Sequence, residues 1–556
     1  MKKNNKQNKQ KVFVIGLDGA TFEIIKPLLA KGKLPNIKKL MQTGSYGYLE
    51  STMPPVTPCA WTSSVTGKQP SKHSLFDFQL IDKNPEKTIT ANRTHVKAKA
   101  IWKLLEEQGK KSIVIDVPLT FPPENIKDGV IISRVMAPPK KNCVTPKHLF
   151  NVLKEKGYIK KVERKIAQEH GADKANKEEV EKKPAPKKLT KAQALKFERD
   201  RITKAFTHMK EDVDKKVEMI KWFNETRDWD FFMAVFMEPD HAGHTFWKDQ
   251  VKVKKIYEKV DQAIGKIRKM MDDNTTLFIW SDHGFTSLPY SFNVNEWLYS
   301  KDLLFKKLDI PHKESMKELK KFLKAHKSGK GEGNNKLTKF RYLIKTDLEK
   351  TKAYLQSGTC YGIRINLEGR DTTGIVKKEE YELFRQDLIN DLKKLKSPLT
   401  KKKVFDKVLR REDVYSESPF GADGAPDIFL VPKDMDIMLN GQFSQNTKMW
   451  KESSKGYGFH HTHGIVFVNG KGIKNKTLKG THITDVAPTV LHILDVPIPE
   501  DIDGRIIKDA FEKNSDLMKK PIKLQGPSIV EGQQQAYSSK DEEKIRKRLE
   551  ALGYIE

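Results

Sequence analysis

The chain has 556 residues, and its 104 lysines and arginines against 73 aspartates and glutamates leave it at +31 with histidine neutral. At about 150 residues per domain this is chain for three or four domains, or for one large core with insertions. Its 37% hydrophobic and 32% charged residues describe a packed core under a lysine-rich surface, which excludes a disordered tail protein. No run approaches the roughly 18 apolar residues of a transmembrane helix, so no integral membrane segment is expected. The start, MKKNNKQNKQ, reads as a short polar tail before a first strand. Cys59, Cys143 and Cys360 form neither a CxxC pair nor a disulfide framework, which fits a reducing cytoplasm. The positive charge suits association with nucleic acid or an acidic surface. The lysines are not interleaved with aromatics as a stacking platform requires, so a solvated basic surface is expected.

Apolar runs alternate with helical patterns, which predicts βα units and a parallel sheet. VFVIGL (12–17) is a predicted strand, KAKAIWKLLEEQG (97–109) a helix closed by Gly109, and SIVIDV (112–117) the next strand. From about 154 to 204 a charged, alanine-rich insertion interrupts the rhythm. FFMAVFM (231–237) is a buried strand. Val253, Ile256, Val260, Ile264 and Ile267 then mark one face of a helix. TLFIW (276–280) is another strand, and the lysine-rich stretch at about 301–350 contains a flexible loop, KSGKGEGNNKLTK. A small α/β insertion follows at about 351–415, with strand-like YGIRINL and helix-like EEYELFRQDLINDLKKL. PDIFLV (426–431) and GIVFV (464–468) are strands, THITDVAPTVLHILDV (481–496) a helix with Thr484 as its cap, and SSKDEEKIRKRLEALGYIE a serine-capped terminal helix.

Five short segments gather the chemistry. IGLDGAT places Asp18 at a strand end, PPVTPCAWTSSVTG (54–67) is rich in hydroxyls, and EPDHAGH (238–244) sets Asp240 and His244 four apart. SDHGF (281–285) holds adjacent Asp282 and His283, and GFHHTHG (458–464) holds three histidines. Six of the 15 histidines fall in these segments. Carboxyl ends of strands are where open α/β sheets bind ligands. Carboxylates crowded there repel unless cations sit between them, so a metal site is expected. Mixed oxygen and nitrogen donors suit zinc, with manganese as the alternative.

GLDGATF (16–22), LPNIKKLMQTGSYGYLES (34–51), PPVTPCAWTSSVTGKQPSKHSLFDF (54–78), EPDHAGH, WSDHGF and DVAPTVLHILDVPIPEDIDG (485–504) resemble the alkaline phosphatase superfamily. Within it they look like the type I phosphodiesterase/nucleotide pyrophosphatase group, in its prokaryotic phosphohydrolase/phosphomutase branch. The resemblance implies an alkaline-phosphatase-like α/β sandwich, its mostly parallel central sheet flanked by helices, with an inserted cap. Residues 11–300 and 416–515 would form the core, 301–415 the cap, and 516–556 a tail with its helix. It also implies two divalent metals around a small-molecule phosphate ester. Asp18, Thr57, Asp282 and His283 would hold one, and Asp240, His244 and His460 the other, with His461 and His463 as alternatives to His460. Thr57, nine residues before Thr66 of the VTG signature, would be the nucleophile that becomes phosphothreonine. Thr62, Ser63 and Ser64 would pack or cap the helix.

Phosphodiester or phosphomonoester hydrolysis is thus the expected activity. The alternatives are a phosphomutase on the same site and a non-catalytic polyanion binder. Two departures matter. Ala60 stands where nucleotide pyrophosphatases carry an asparagine that holds a phosphate oxygen. Cys59 lacks the proline and arginine of the sulfatase pattern, with Trp61 and Ser63 in their places, so a sulfatase is rejected.

Overall fold

The computed structural model describes residues 9–82, 84, 87–138, 141–159, 191–308, 344–415, 422–443, 448–530 and 537–552. By contact density the chain divides into two units. The first comprises 1–78, 90–286 and 458–554, and the second 79–89, 287–457 and 555–556.

The first unit is built on a nine-stranded sheet. In chain order its strands are β1 (Lys11–Leu17), β2 (Ser45–Glu50), β3 (Ser112–Ile115), β4 (Val130–Ile132), β5 (Val144–Thr145), β6 (Phe231–Phe236), β7 (Thr275–Trp280), β8 (His463–Asn469) and β9 (Lys476–His482). Their order across the sheet is β9-β2-β8-β7-β1-β6-β3-β4-β5. Pairings of β1 with β6 and β7, β3 with β4 and β6, and β2 with β9 are parallel. Only β8, against β2 and β7, and β5, against β4, run antiparallel. The expected mostly parallel sheet flanked by helices is present. Every residue of β6 and β7 is buried, which is why these segments read as unbroken apolar runs rather than alternating ones.

The helices used below are α1 (Thr57–Thr66), α2 (Lys191–Thr226), α3 (Glu238–Phe246), α4 (Gln250–Arg268), α5 (Val486–Ile493) and α6 (Ser539–Leu552). In α4 the predicted stripe Val253, Ile256, Val260, Ile264 and Ile267 is the buried face. The described end of the charged insertion belongs to the 36-residue helix α2, while 160–190 and the loop within 309–343 lie outside the described residues.

Two local expectations are corrected. The helix predicted from 97 is confined to Ile101–Glu107, because Lys97 and Lys99 spend their N–H groups on the carbonyls of His73 and Ser528 in extended backbone. Thr484 does not cap α5. A 3-10 turn (Ile483–Asp485) intervenes, in which His482 Nδ1 accepts from Thr484 N–H and Asp485 Oδ2 accepts from His482 N–H.

The second unit contains a four-stranded antiparallel sheet ordered Ala353–Ser357, Gly362–Ile365, Ile428–Pro432, Phe405–Arg410. Helix Lys378–Lys394 buries Arg385, Leu388, Ile389 and Leu392. Asp427 and Asp371, both buried, are paired with Arg370 and Arg364.

Candidate active site and metal centre

Three neighbouring parallel strands deliver the acidic residues. β1 ends at Leu17 and hands over to Asp18, β6 leads into α3 with Asp240, and β7 leads into Asp282 and His283. Because these strands lie side by side, all three sets emerge at one sheet edge. β8 runs antiparallel to β7 and therefore starts where the others finish, which brings His460, just before it, to the same edge. Gly19, at φ +64, turns the chain after Asp18 and donates its N–H to Asp282 Oδ1 at 3.2 Å. A Cβ there would stand 3.0 Å from that of Asp240, so close approach and backbone conformation both call for glycine.

Asp18, Thr57, Asp240, Asp282, His283 and His460 are all buried, and His244 is partly so. His283 Nδ1 lies 3.0 Å from the Gly284 carbonyl oxygen and His460 Nδ1 3.1 Å from that of Pro55. A carbonyl oxygen only accepts, so both Nδ1 atoms carry the proton and each Nε2 turns a lone pair inward. Around Asp240 Oδ1, His244 Nε2 stands at 3.3 Å and His460 Nε2 at 3.5 Å, with 3.0 Å between the two nitrogens. Around His283 Nε2, Asp282 Oδ2 stands at 3.1 Å, Thr57 Oγ1 at 3.3 Å and Asp18 Oδ1 at 3.8 Å.

Asp18 Oδ1 and Asp282 Oδ2 are buried without a hydrogen-bond partner. Two donor groups result, Asp240–His244–His460 and Asp18–Asp240–His283, each with ligand atoms within 4.8 Å of one another. Asp240 belongs to both. Orphaned buried carboxylate oxygens facing inward lone pairs fit divalent cations. Of the three clustered histidines only His460 reaches these groups. His461 is partly buried and His463 exposed, and the N–H of His463 turns back to His461 Nδ1.

The electrostatics have the same cause. Burial pushes the Asp18 carboxyl well above its usual range, and the neighbouring Asp282 and Asp240 add to this. Burial raises Asp282 as well, against the Gly19 N–H that favours its charge. For Asp240, burial is outweighed chiefly by the facing His244, and the carboxyl is held well below the usual range. Burial lowers His283 and His460, leaving neutral imidazoles able to ligate.

Thr57 is the first residue of α1, where unpaired amides favour developing negative charge. Three other hydroxyls of that segment are engaged within the packing. Ser63 Oγ meets His73 Nε2 at 2.9 Å, Ser64 Oγ donates to the Trp61 carbonyl, and Thr66 Oγ1 donates to that of Thr62. Trp61, one helical turn after Thr57, donates its indole N–H to Asp18 Oδ2 at 2.7 Å. This second contact of Asp18 went unread in the sequence. The i, i+4 spacing from Thr57 was its only signal.

The fold and its site define a member of the alkaline phosphatase superfamily. More particularly, the family model described as "Type I phosphodiesterase / nucleotide pyrophosphatase" matches residues 12–465, and the chain belongs to that family, one of hydrolases. Among curated proteins it is similar to a protein of Myroides odoratus named "Calcium-transporting ATPase", 24% identical over 304 residues, covering 51% of this chain and 46% of that protein. The chain thus spans about half the length of this curated relative. Among solved structures it is similar to alkaline phosphatase PafA, with a TM-score of 0.51 and 16% identity over 91% of this chain and 99% of that one. Phosphonoacetate hydrolase from Sinorhizobium meliloti also has a TM-score of 0.51, with 13% identity over 88% of this chain and 96% of that one. At such identities the likeness is one of fold. Among the described residues no helix is long and apolar enough to cross a membrane.

Proposed function

We propose that the chain is a metal-dependent hydrolase of small-molecule phosphate esters that works through a phosphothreonine at Thr57. The observation that carries this reading is a threonine hydroxyl at a helix N-terminus, 3.3 Å from His283 Nε2, beside buried carboxylates with orphaned oxygens. Asp240, His244 and His460 would hold one cation, and Asp18, Asp282, His283 and Thr57 the other. The mixed donors suit zinc, with manganese as the alternative. When bound, such ions supply Lewis acidity toward the ester and the attacking oxygen.

The chain's own part begins with Thr57 Oγ1, which attacks phosphorus in line. The Oγ1–P bond forms, the P–O bond to the leaving alcohol breaks, and the threonine proton is lost to solvent while the alcohol gains one. Water then displaces Oγ1 from phosphorus and regenerates Thr57. The N-terminus of α1 supports the charge that develops, and the buried walls limit bulk water. Cys59, Cys143 and Cys360 are buried and not joined in disulfides, which suits a reducing compartment, the cytoplasm.

The test is turnover of bis-p-nitrophenyl phosphate and p-nitrophenyl phosphate by zinc- or manganese-loaded protein. Thr57→Ala is expected to lose about a thousandfold or more and Thr57→Ser to retain part of the rate. Acid-quenched wild type should carry one phosphoryl group on Thr57. Wild-type turnover by Thr57→Ala would sink the covalent route.

A further inference from the structure

Lys216 occupies the buried face of its helix. Val213, Val217, Ile220 and Phe223 of α2 form an apolar stripe, and Lys216 sits among them, 4% exposed. A lysine is almost never buried so deeply without partners that compensate its charge. Here the partners belong to the sheet edge that carries the metal centre. Lys216 Nζ donates to the Val235 carbonyl at 2.5 Å, and stands 3.3 Å from Asp116 Oδ2 and 3.8 Å from Glu238 Oε1. It also lies over the Phe236 ring, 5.1 Å from the centroid. All these residues belong to the first unit.

The contact with Val235 has its cause in the sheet. Successive carbonyls of a strand point to opposite neighbours. That of Phe236 accepts from the Asp18 N–H on the β1 side, so that of Val235 points toward β3. β3 stops at Ile115, opposite Ala234. Asp116, at φ +57, turns away and gives its N–H to the Ile132 carbonyl. The ladder therefore ends one residue short of Val235, and the Lys216 ammonium takes the place of the missing N–H. A buried carbonyl left unpaired there would cost as much as a lost hydrogen bond.

Five residues after Val235 comes Asp240, the carboxylate that belongs to both donor groups. Between them the chain leaves β6 and enters α3, whose first residue is Glu238. Glu238 is buried, and its Oε2 has no hydrogen-bond partner, so its charge leans on Lys216. Asp116 is held from its other side by Arg134, whose Nε donates to Oδ1 at 2.8 Å. α3 packs against α2, α4 and α6, and the ammonium from α2 ties the end of β6 to the start of α3.

We propose that Lys216 is a positioning residue of the metal centre. By clamping the β6–α3 junction it fixes where Asp240 projects, and so sets the affinity for divalent cations. This rests on the metal-dependent reading above and extends the site to the helix that carries the end of the lysine-rich insertion.

The experiment measures zinc and manganese affinity of the full chain by competition with a chromophoric chelator, beside thermal melts of the same samples. Lys216→Met fills the space of the stem without the ammonium. Affinity should fall about 10- to 100-fold, the range for partners that orient metal ligands. Lys216→Met combined with Glu238→Gln removes the facing charge as well, which protects the fold, and should show a similar loss. Lys216→Arg keeps the charge but cannot set a single donor on Val235 in the same way, so its loss should be smaller. Wild-type affinity in every folded variant, with only the melting temperature lowered, would make Lys216 a structural ion pair and overturn the proposal. Failure of the wild type to bind either metal overturns the metal-dependent reading, and the proposal falls with it. A wild type that binds metal yet turns over neither nitrophenyl ester overturns the hydrolase reading, while the affinities still decide the role of Lys216.

Discussion

Trp61→Phe tests how Asp18 is held. The indole N–H reaches Asp18 Oδ2 at 2.7 Å in a fully buried setting, while Oδ1 stays free of hydrogen bonds. The two oxygens therefore have separate tasks, one fixed by Trp61 and the other available to a cation. The bond also opposes the upward push that burial and the Asp282 and Asp240 carboxylates exert on the Asp18 carboxyl. A hydrogen bond to a buried charged group is worth about 1.5–3 kcal/mol, and about 1.4 kcal/mol is tenfold in an equilibrium constant. Divalent-metal affinity should accordingly fall about 10- to 100-fold, the range for partners that orient metal ligands. The loss should be larger below neutral pH, where protons compete better for Asp18. The assay is competition against a chromophoric chelator, with thermal melts showing that the variant remains folded. Phenylalanine leaves part of the indole's volume empty and costs some stability too. A folded variant that is merely less stable, with wild-type metal affinity, would refute the orienting role.

Gly16→Ala should destabilise the protein by about 1–3 kcal/mol in urea titrations, since overpacking displaces rigid neighbours. The new Cβ would stand 2.5 Å from a Trp61 ring carbon and 2.7 Å from a Val235 methyl. An unchanged midpoint would show that β1 and α1 can part without cost. His73 provides a pH signature: burial pushes it down to about 3, so it is neutral in the fold while the unfolded chain protonates near 6.5. Its contribution to stability is full above about pH 6.5 and is lost as pH falls toward about 3, at up to about 1.4 kcal/mol per unit. His73→Gln should flatten that acid limb in melts at about pH 4–6. An equally steep limb would place the titration elsewhere.

Much of the site could be read from chain order because its residues follow directly on buried strands. VFVIGL, FFMAVFM and TLFIW are apolar on both faces, so burial was legible, and Asp18, Asp240, Asp282 and His283 come just after them. The histidine choice rested on spacing to Gly464. What brings His460 in is the antiparallel direction of β8, a property of pairing rather than of the segment. Thr484 failed as a cap for a local reason: His482 and Asp485 satisfy each other across a turn that no periodicity announces.

The amino-acid order by itself determined which segments become strands and which side chains stand at their ends, because burial pattern and strand-end position are local properties. Only the tertiary structure decided that β7, β1 and β6 are neighbours, that Trp61 fixes one oxygen of Asp18, and that Lys216 of α2 takes the place of a strand partner at Val235. Those relations join residues far apart in the chain, 43 positions in the case of Trp61 and Asp18. They arise from strand pairing and packing, which no single segment encodes.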